Sequence, residues 1–186
     1  MERVAAFIDN HSTVRNLILA IISSAVVVTV MGMATQSLVY DIYGDVTMPD
    51  TRFIYSYNEI LDVFNTLGFE GLQTWLLVHS LDFLFPLTYS FAIAFGIAML
   101  LRKLPPERRG LGNLSVVGLL GGLLDYIENV LVASQVLAYP NLSQLVIQIA
   151  SAVTALKWIA IMIGFGLVIS FLIALILMRA SSQFSS

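Results

Sequence analysis

The sequence predicts an all-α polytopic membrane protein, a four-transmembrane-helix bundle with a short amphipathic helix in the first extracytoplasmic loop. Three observations predict it. Of the 186 residues, 58% are hydrophobic and only 11% charged, where a soluble domain carries roughly 25% charged residues. Apolar runs occupy 17–38, 75–101, 114–138 and 150–178, each long enough at about 1.5 Å per residue to cross a hydrocarbon core roughly 30 Å thick. Basic residues also segregate: Arg3, Arg15, Arg102, Lys103, Arg108, Arg109 and Arg179 fall on one side of the four runs, and only Arg52 lies opposite.

The first run has a cleaved signal peptide as its rival reading. The preceding MERVAAFIDNHSTVRN is long and mixed in charge, and the run exceeds a usual signal core, so a retained span is expected. The loop 39–73 carries Asp41, Asp45, Asp50, Glu59, Asp62 and Glu70. Because lysine and arginine near span ends stay in the cytoplasm, this acidic loop is assigned to the extracytoplasmic face. Both termini are then cytoplasmic, with the plasma (inner) membrane as the expected location. Within the loop, Ser56-Tyr57-Asn58-Glu59 reads as a capping box opening a helix, with Ile60, Leu61, Phe64 and Leu67 on one face and Gly68 closing it. That helix either rests on headgroups or covers a pocket.

The second run is interrupted by Asp82 and Pro86, and Pro86 is expected to kink it and free carbonyl groups. The short, Pro/Gly-rich turn LPPERRGLGN makes the second and third spans an antiparallel hairpin. The fourth apolar pattern starts near Leu142, more than a bilayer needs, so the helix projects or tilts. The tail SSQFSS is expected to fray. No repeat or second domain is visible, which leaves one domain over 1–186.

The composition excludes several classes. With no cysteine there are no disulfides, thiolate metal sites, haem attachment or cysteine nucleophiles. A net charge of −3 with nine basic residues offers no stripe to follow a phosphate backbone, so no nucleic acid is expected. None of H-E-x-x-H, G-x-S-x-G or a phosphate loop occurs, and no cofactor is expected. Asp125-x-x-Glu128 with His79 supplies one histidine and no established ligand motif, so no metal is expected either. Asn141-Leu-Ser143 fits the glycosylation pattern, which is frequent by chance. Gly118-x-x-x-Gly122 allows close helix approach, either inside the bundle or in a homodimer.

What remains is an unusual set of polar residues inside the spans. His79, Asp82 and Tyr89 lie in the second, Asp125, Glu128 and Asn129 in the third, and Thr154 and Lys157 beside Trp158 in the fourth. Each charge in hydrocarbon costs several kcal/mol unless it is paired, neutralised or wetted. His79, Asp82, Pro86 and Tyr89 step by three, four and three, and Gly118, Gly122, Asp125, Glu128 or Asn129 and Val132 form a comparable face. Counted from the side of the termini at about 1.5 Å per residue, Asp125 and Tyr89 lie roughly 17–18 Å deep, and Asp82 and Lys157 roughly 28–32 Å. A cavity gated toward the loop side and sealed by apolar packing on the other is therefore expected. Three acids and one lysine cannot all be comfortably ionised there, so Asp125 or Glu128 is expected to share a proton or a cation.

The stretch HSLDFLFPLTYSF, with an acid just before a proline, and the layout of one span, a long loop and three closely linked spans together resemble the emopamil-binding, or EXPERA, type of four-helix membrane protein. The segment GLLDYIENVLV is similar to small uncharacterised bacterial membrane proteins in which an acid-proline span precedes D-x-x-E-N. The first resemblance implies a pocket for sterols or cationic amphiphiles, in some members with isomerisation of a sterol double bond. Residue types usual there occur here as Asp82, Glu128, His79, Asn129 and Trp158, in an order that transfers no roles.

Three readings stand. The first is a pocket for a small lipophilic, amine-bearing or sterol-like ligand among membrane lipids. His79, Asp82, Tyr89, Asp125, Glu128, Asn129, Lys157 and Trp158 would line it, and Asp125, Glu128 or Asp82 would move a proton if a reaction follows. The second is a proton- or cation-coupled transporter or channel, against which the short spans without inverted repeats and the apolar half of the bundle both argue. The third is an assembly protein in which Lys157, paired with Asp82 or Glu128, only fixes helix register.

Overall fold

The computed structural model describes residues 1–44 and 46–183, apart from the side chains of 106–110 and 182–183. Asp45, the side chains of Arg108 and Arg109, and residues 184–186 of the tail expected to fray lie outside the described residues, whereas residues 181–183 of that tail are still helical. Among the described residues seven α-helices follow one another: α1 Glu2–His11, α2 Val14–Thr35, α3 Asp41–Tyr43, α4 Tyr57–His79, α5 Phe85–Leu101, α6 Val116–Ala138 and α7 Gln144–Gln183. No strand occurs among the described residues. Four helical stretches are long and apolar enough to cross a membrane: Val14–Tyr43, Tyr57–Leu101, Leu111–Ala138 and Gln144–Ser181. The chain is an integral membrane protein built as an all-α, four-span bundle.

The central helix is α5, which packs against α2, α6 and α7. One pole of the bundle carries the segment 41–56 and the α6–α7 turn, and is called the loop pole. At the other, the terminal pole, α1 docks beneath α5. This N-terminal helix was not anticipated, although Val4, Phe7, Ile8 and His11 already have helical spacing. Ile8 is fully buried against Ala94, Phe95 and Ala98, and the Arg102 guanidinium holds the end of α1 by donating to the Asp9 and Ser12 carbonyls.

The first span is longer than expected because α2 runs through a π turn, Gln36–Tyr40, into α3. Its wider coil shifts the inward face by one position, so Val39 is fully buried after a helix, α2, with no buried residue. The expected capping box is present: Ser56 Oγ accepts from the Glu59 N–H, and Glu59 Oε2 accepts from the Ser56 N–H. Ile60, Val63, Phe64 and Leu67 are buried, whereas Leu61 is only half-buried. At Gly68 the backbone turns (φ 61°, ψ −172°), a conformation open to glycine alone, and the helix then resumes to His79. The helix in the loop is thus the leading arm of a kinked helix that continues into the second span.

The interruption of that span follows from Pro86. Proline has no N–H to offer the Asp82 carbonyl, and its ring crowds that oxygen, so α4 tightens into a 3₁₀ turn at Ser80–Phe83 and α5 restarts with Pro86 in its first turn. The third span supplies the missing donors. Tyr126 Oη donates to the Phe83 carbonyl at 2.7 Å, and Asn129 Nδ2 approaches the Asp82 carbonyl at 3.5 Å.

Candidate functional site

The polar residues of three spans converge on Lys157. Its ammonium lies 2.5 Å from Glu128 Oε2, 3.3 Å from Asp125 Oδ1 and 3.5 Å from the Asp50 carbonyl oxygen. The ammonium donates to the Asp50 carbonyl and Asp125 Oδ1 and is ion-paired with Glu128, so its charge is engaged by two carboxylates. Each carboxylate has a second partner. Tyr89 Oη donates to Asp125 Oδ2 at 2.9 Å, and Thr154 Oγ1 donates to Glu128 Oε1 at 2.6 Å. Asp125, Glu128 and Lys157 are all buried, and at such depth the pair must be compensated by geometry and hydrogen bonds of this kind.

Next to this cluster lies a cavity of about 570 Å³, bounded by α2, the kink between α4 and α5, α6 and α7. Of the residues expected in the ligand-binding set, His79, Asp82, Tyr89, Asp125, Lys157 and Trp158 line it. Glu128 and Asn129 do not; both are fully buried one layer behind its wall. Lys157 makes its ion pairs with Asp125 and Glu128 and not with Asp82. The reason is register: Asp125 and Glu128 sit one turn apart on α6 facing α7, while Asp82 sits in the 3₁₀ turn across the cavity. His79 is stacked on Trp75 at 4.8 Å between ring centres, and its Nε2 reaches the Asn129 carbonyl at 3.4 Å. No metal-holding group of three or more His, Cys, Asp or Glu side chains forms among the described residues.

The loop supplies residues that periodicity does not flag. Met48, Asp50 and Thr51 line the cavity at the loop pole. They belong to a strap pinned to α7: Trp158 Nε1 donates to the Arg52 carbonyl at 2.9 Å, and the Tyr55 N–H donates to Ser151 Oγ at 2.9 Å. Burial pushes the Tyr55 phenol above its ordinary value, so it remains an O–H beside Thr154. Pro49 in the strap, early in a 3₁₀ turn, was the one local signal that this stretch is ordered. Three buried side-chain oxygens have no hydrogen-bond donor: Asp50 Oδ1, Asn129 Oδ1 and Glu128 Oε2, the last compensated by its ion pair with Lys157.

Below Tyr89 the bundle closes. Ile93, Ile97, Leu101 and Leu104 pack with Ile161, Val168 and Phe171 of α7. The result is a chamber with acids and a lysine toward the loop pole and apolar side chains toward the middle. No protein-family model, curated protein or solved structure matches the chain.

Proposed function

We propose that the protein binds a small lipophilic ligand with an amine head in the cavity beside Lys157. Charge is the observation that carries this reading. Asp50, Asp82 and Asp125 line the cavity against a single lysine, and that lysine is already engaged by Asp125 and Glu128. A cationic head offsets the cost of keeping the remaining carboxyls out of water, and its N–H groups supply the donor that Asp50 Oδ1 lacks. The volume falls in the range of small-molecule pockets, roughly 300–1,000 Å³. The same carboxyls can pass a proton to and from a bound ligand, so acid–base isomerisation is the chemistry compatible with the site. Apolar packing below Tyr89 favours a binding site over a conduit.

Dodecylamine and dodecanol in detergent provide the test. The amine is expected to bind at least tenfold more tightly than the alcohol, and Asp82→Asn is expected to abolish that preference. Equal binding of the two by the unaltered protein would overturn the proposal.

We infer from the segregation of basic residues that both termini lie in the cytoplasm, with the plasma (inner) membrane as the location. Because the chain has no cysteine, single introduced cysteines report topology directly. Asn141→Cys is expected to react with an impermeant maleimide in intact cells, and Lys103→Cys only after lysis. The opposite pattern would invert the orientation.

A further inference from the structure

We infer that the cavity is loaded sideways from the bilayer, through a slot between α2 and α7, and that its occupant is a single-chain amphiphile whose aliphatic tail lies in that slot. The inference rests on the binding reading above and adds the route and the shape of the ligand.

Both poles of the chamber are obstructed. The strap roofs it, held to α7 by the bonds of Trp158 to Arg52, Tyr55 to Ser151 and Lys157 to Asp50. Its other end is filled by the packed side chains below Tyr89. The side is different. α2 packs on α5 and α4 but makes no extended contact with α7. Cavity-lining residues on these two helices are also outward-facing: Val28 is 47% exposed and Phe165 54% exposed. One turn from Val28 on α2, Gly32 lines the cavity, and a Cβ built there meets nothing within 4 Å. In a membrane, such an opening faces acyl chains.

The polarity of the slot matches an amphiphile in the leaflet next to the loop pole. Lys157 and Phe165 are separated by eight residues of α7, about 12 Å along the axis. The ionisable groups sit at the end nearer the loop pole, and Val28 and Phe165 sit near the middle of their helices. A head drawn to Asp82 and Asp50 therefore leaves its tail at the depth where it already lay in the bilayer, and burial of the tail needs no passage through water. A slot bounded by one helix on each side suits one chain rather than two.

The two tryptophans of the protein, Trp75 and Trp158, both line the cavity, so their fluorescence reads its occupancy. The probe is dodecylamine brominated at the fourth carbon, close to the head and so beside both tryptophans, added to the protein in phosphatidylcholine vesicles and followed by stopped-flow quenching. Gly32→Leu puts a side chain into the slot while improving local helix propensity, and is expected to slow quenching at least tenfold. Val28→Phe is expected to do the same. Gly166→Leu, at another position where a Cβ meets nothing within 4 Å but which does not line the cavity, is expected to leave the rate unchanged. No quenching in the unaltered protein would remove the binding reading itself. Quenching that is as fast in Gly32→Leu and Val28→Phe as in the unaltered protein would overturn lateral loading and leave the pocket in place. A tenfold acceleration in Ser151→Ala, which removes one of the strap's three bonds to α7, with no effect at Gly32 would assign entry to the loop pole instead. A two-chain phospholipid retained in native mass spectra and not displaced by the bromoamine would overturn the single-chain occupant.

Discussion

Replacing Lys157 by methionine is expected to destabilise the bundle by about 3–5 kcal/mol, the cost of stranding buried carboxylates when their common partner is removed. Methionine fills a similar volume, so packing changes little and the loss reports charge. Asp125 would keep only the Tyr89 hydroxyl and Glu128 only the Thr154 hydroxyl, each a single donor for a whole carboxylate. Thermal unfolding in detergent measures the effect. Adding Glu128→Gln to Lys157→Met is expected to recover a large part of the loss, because a neutral amide is far cheaper to bury than an unpaired charge. If the single variant stays within about 1 kcal/mol of the parent, the ammonium does not lie between these acids.

The second large effect is expected at Gly118. A Cβ there would fall 2.6 Å from the Ala94 nitrogen and 3.0 Å from the Ser90 carbonyl oxygen, both backbone atoms of α5. Gly122 is nearly as tight, 2.8 Å from the Pro86 carbonyl oxygen. Backbone cannot swing aside as a side chain can, so α6 must move away from α5. Gly118→Ala is therefore expected to cost about 2–3 kcal/mol, at the upper end for overpacking. Gly166→Ala, where the added methyl meets open space, is expected to be neutral or to stabilise by about 0.5 kcal/mol. Equal stabilities for the two variants would refute the close approach of α5 and α6. These contacts also answer a question that the Gly118-x-x-x-Gly122 spacing leaves open: its small residues serve packing inside one chain.

Both variants probe contacts between helices, and it is there that sequence and tertiary structure part company. The spans were legible because hydrophobicity over some twenty residues is a local property and the bilayer sets its length. The Ser56–Glu59 capping box and the break at Gly68 were legible for the same reason, since a cap is made by residues three apart and a turn by one backbone angle. That Tyr89, Asp82 and His79 share a face, and Asp125 and Glu128 another, follows from helical period alone.

Period says nothing about which face meets which. Lys157 was compatible with Asp82 or Glu128, and the register of α6 against α7, decided in part by Gly118, Gly122 and Gly164 at the α5 surface, gave it Glu128 and Asp125 instead. The roof was hidden altogether. Met48, Asp50 and Thr51 belong to an irregular segment with no repeating pattern, held by single hydrogen bonds to residues about a hundred positions away. The sequence by itself determined the number of spans, the cap at Ser56 and the interruption at Gly68, and the presence of ionisable groups that hydrocarbon cannot tolerate alone; that the helix resumes after Gly68 and runs on into the second span it did not. Only the tertiary structure decided which of them pair, which face an open cavity, and where that cavity opens, because those outcomes depend on helix register and loop closure, which are summed over contacts distant in the chain.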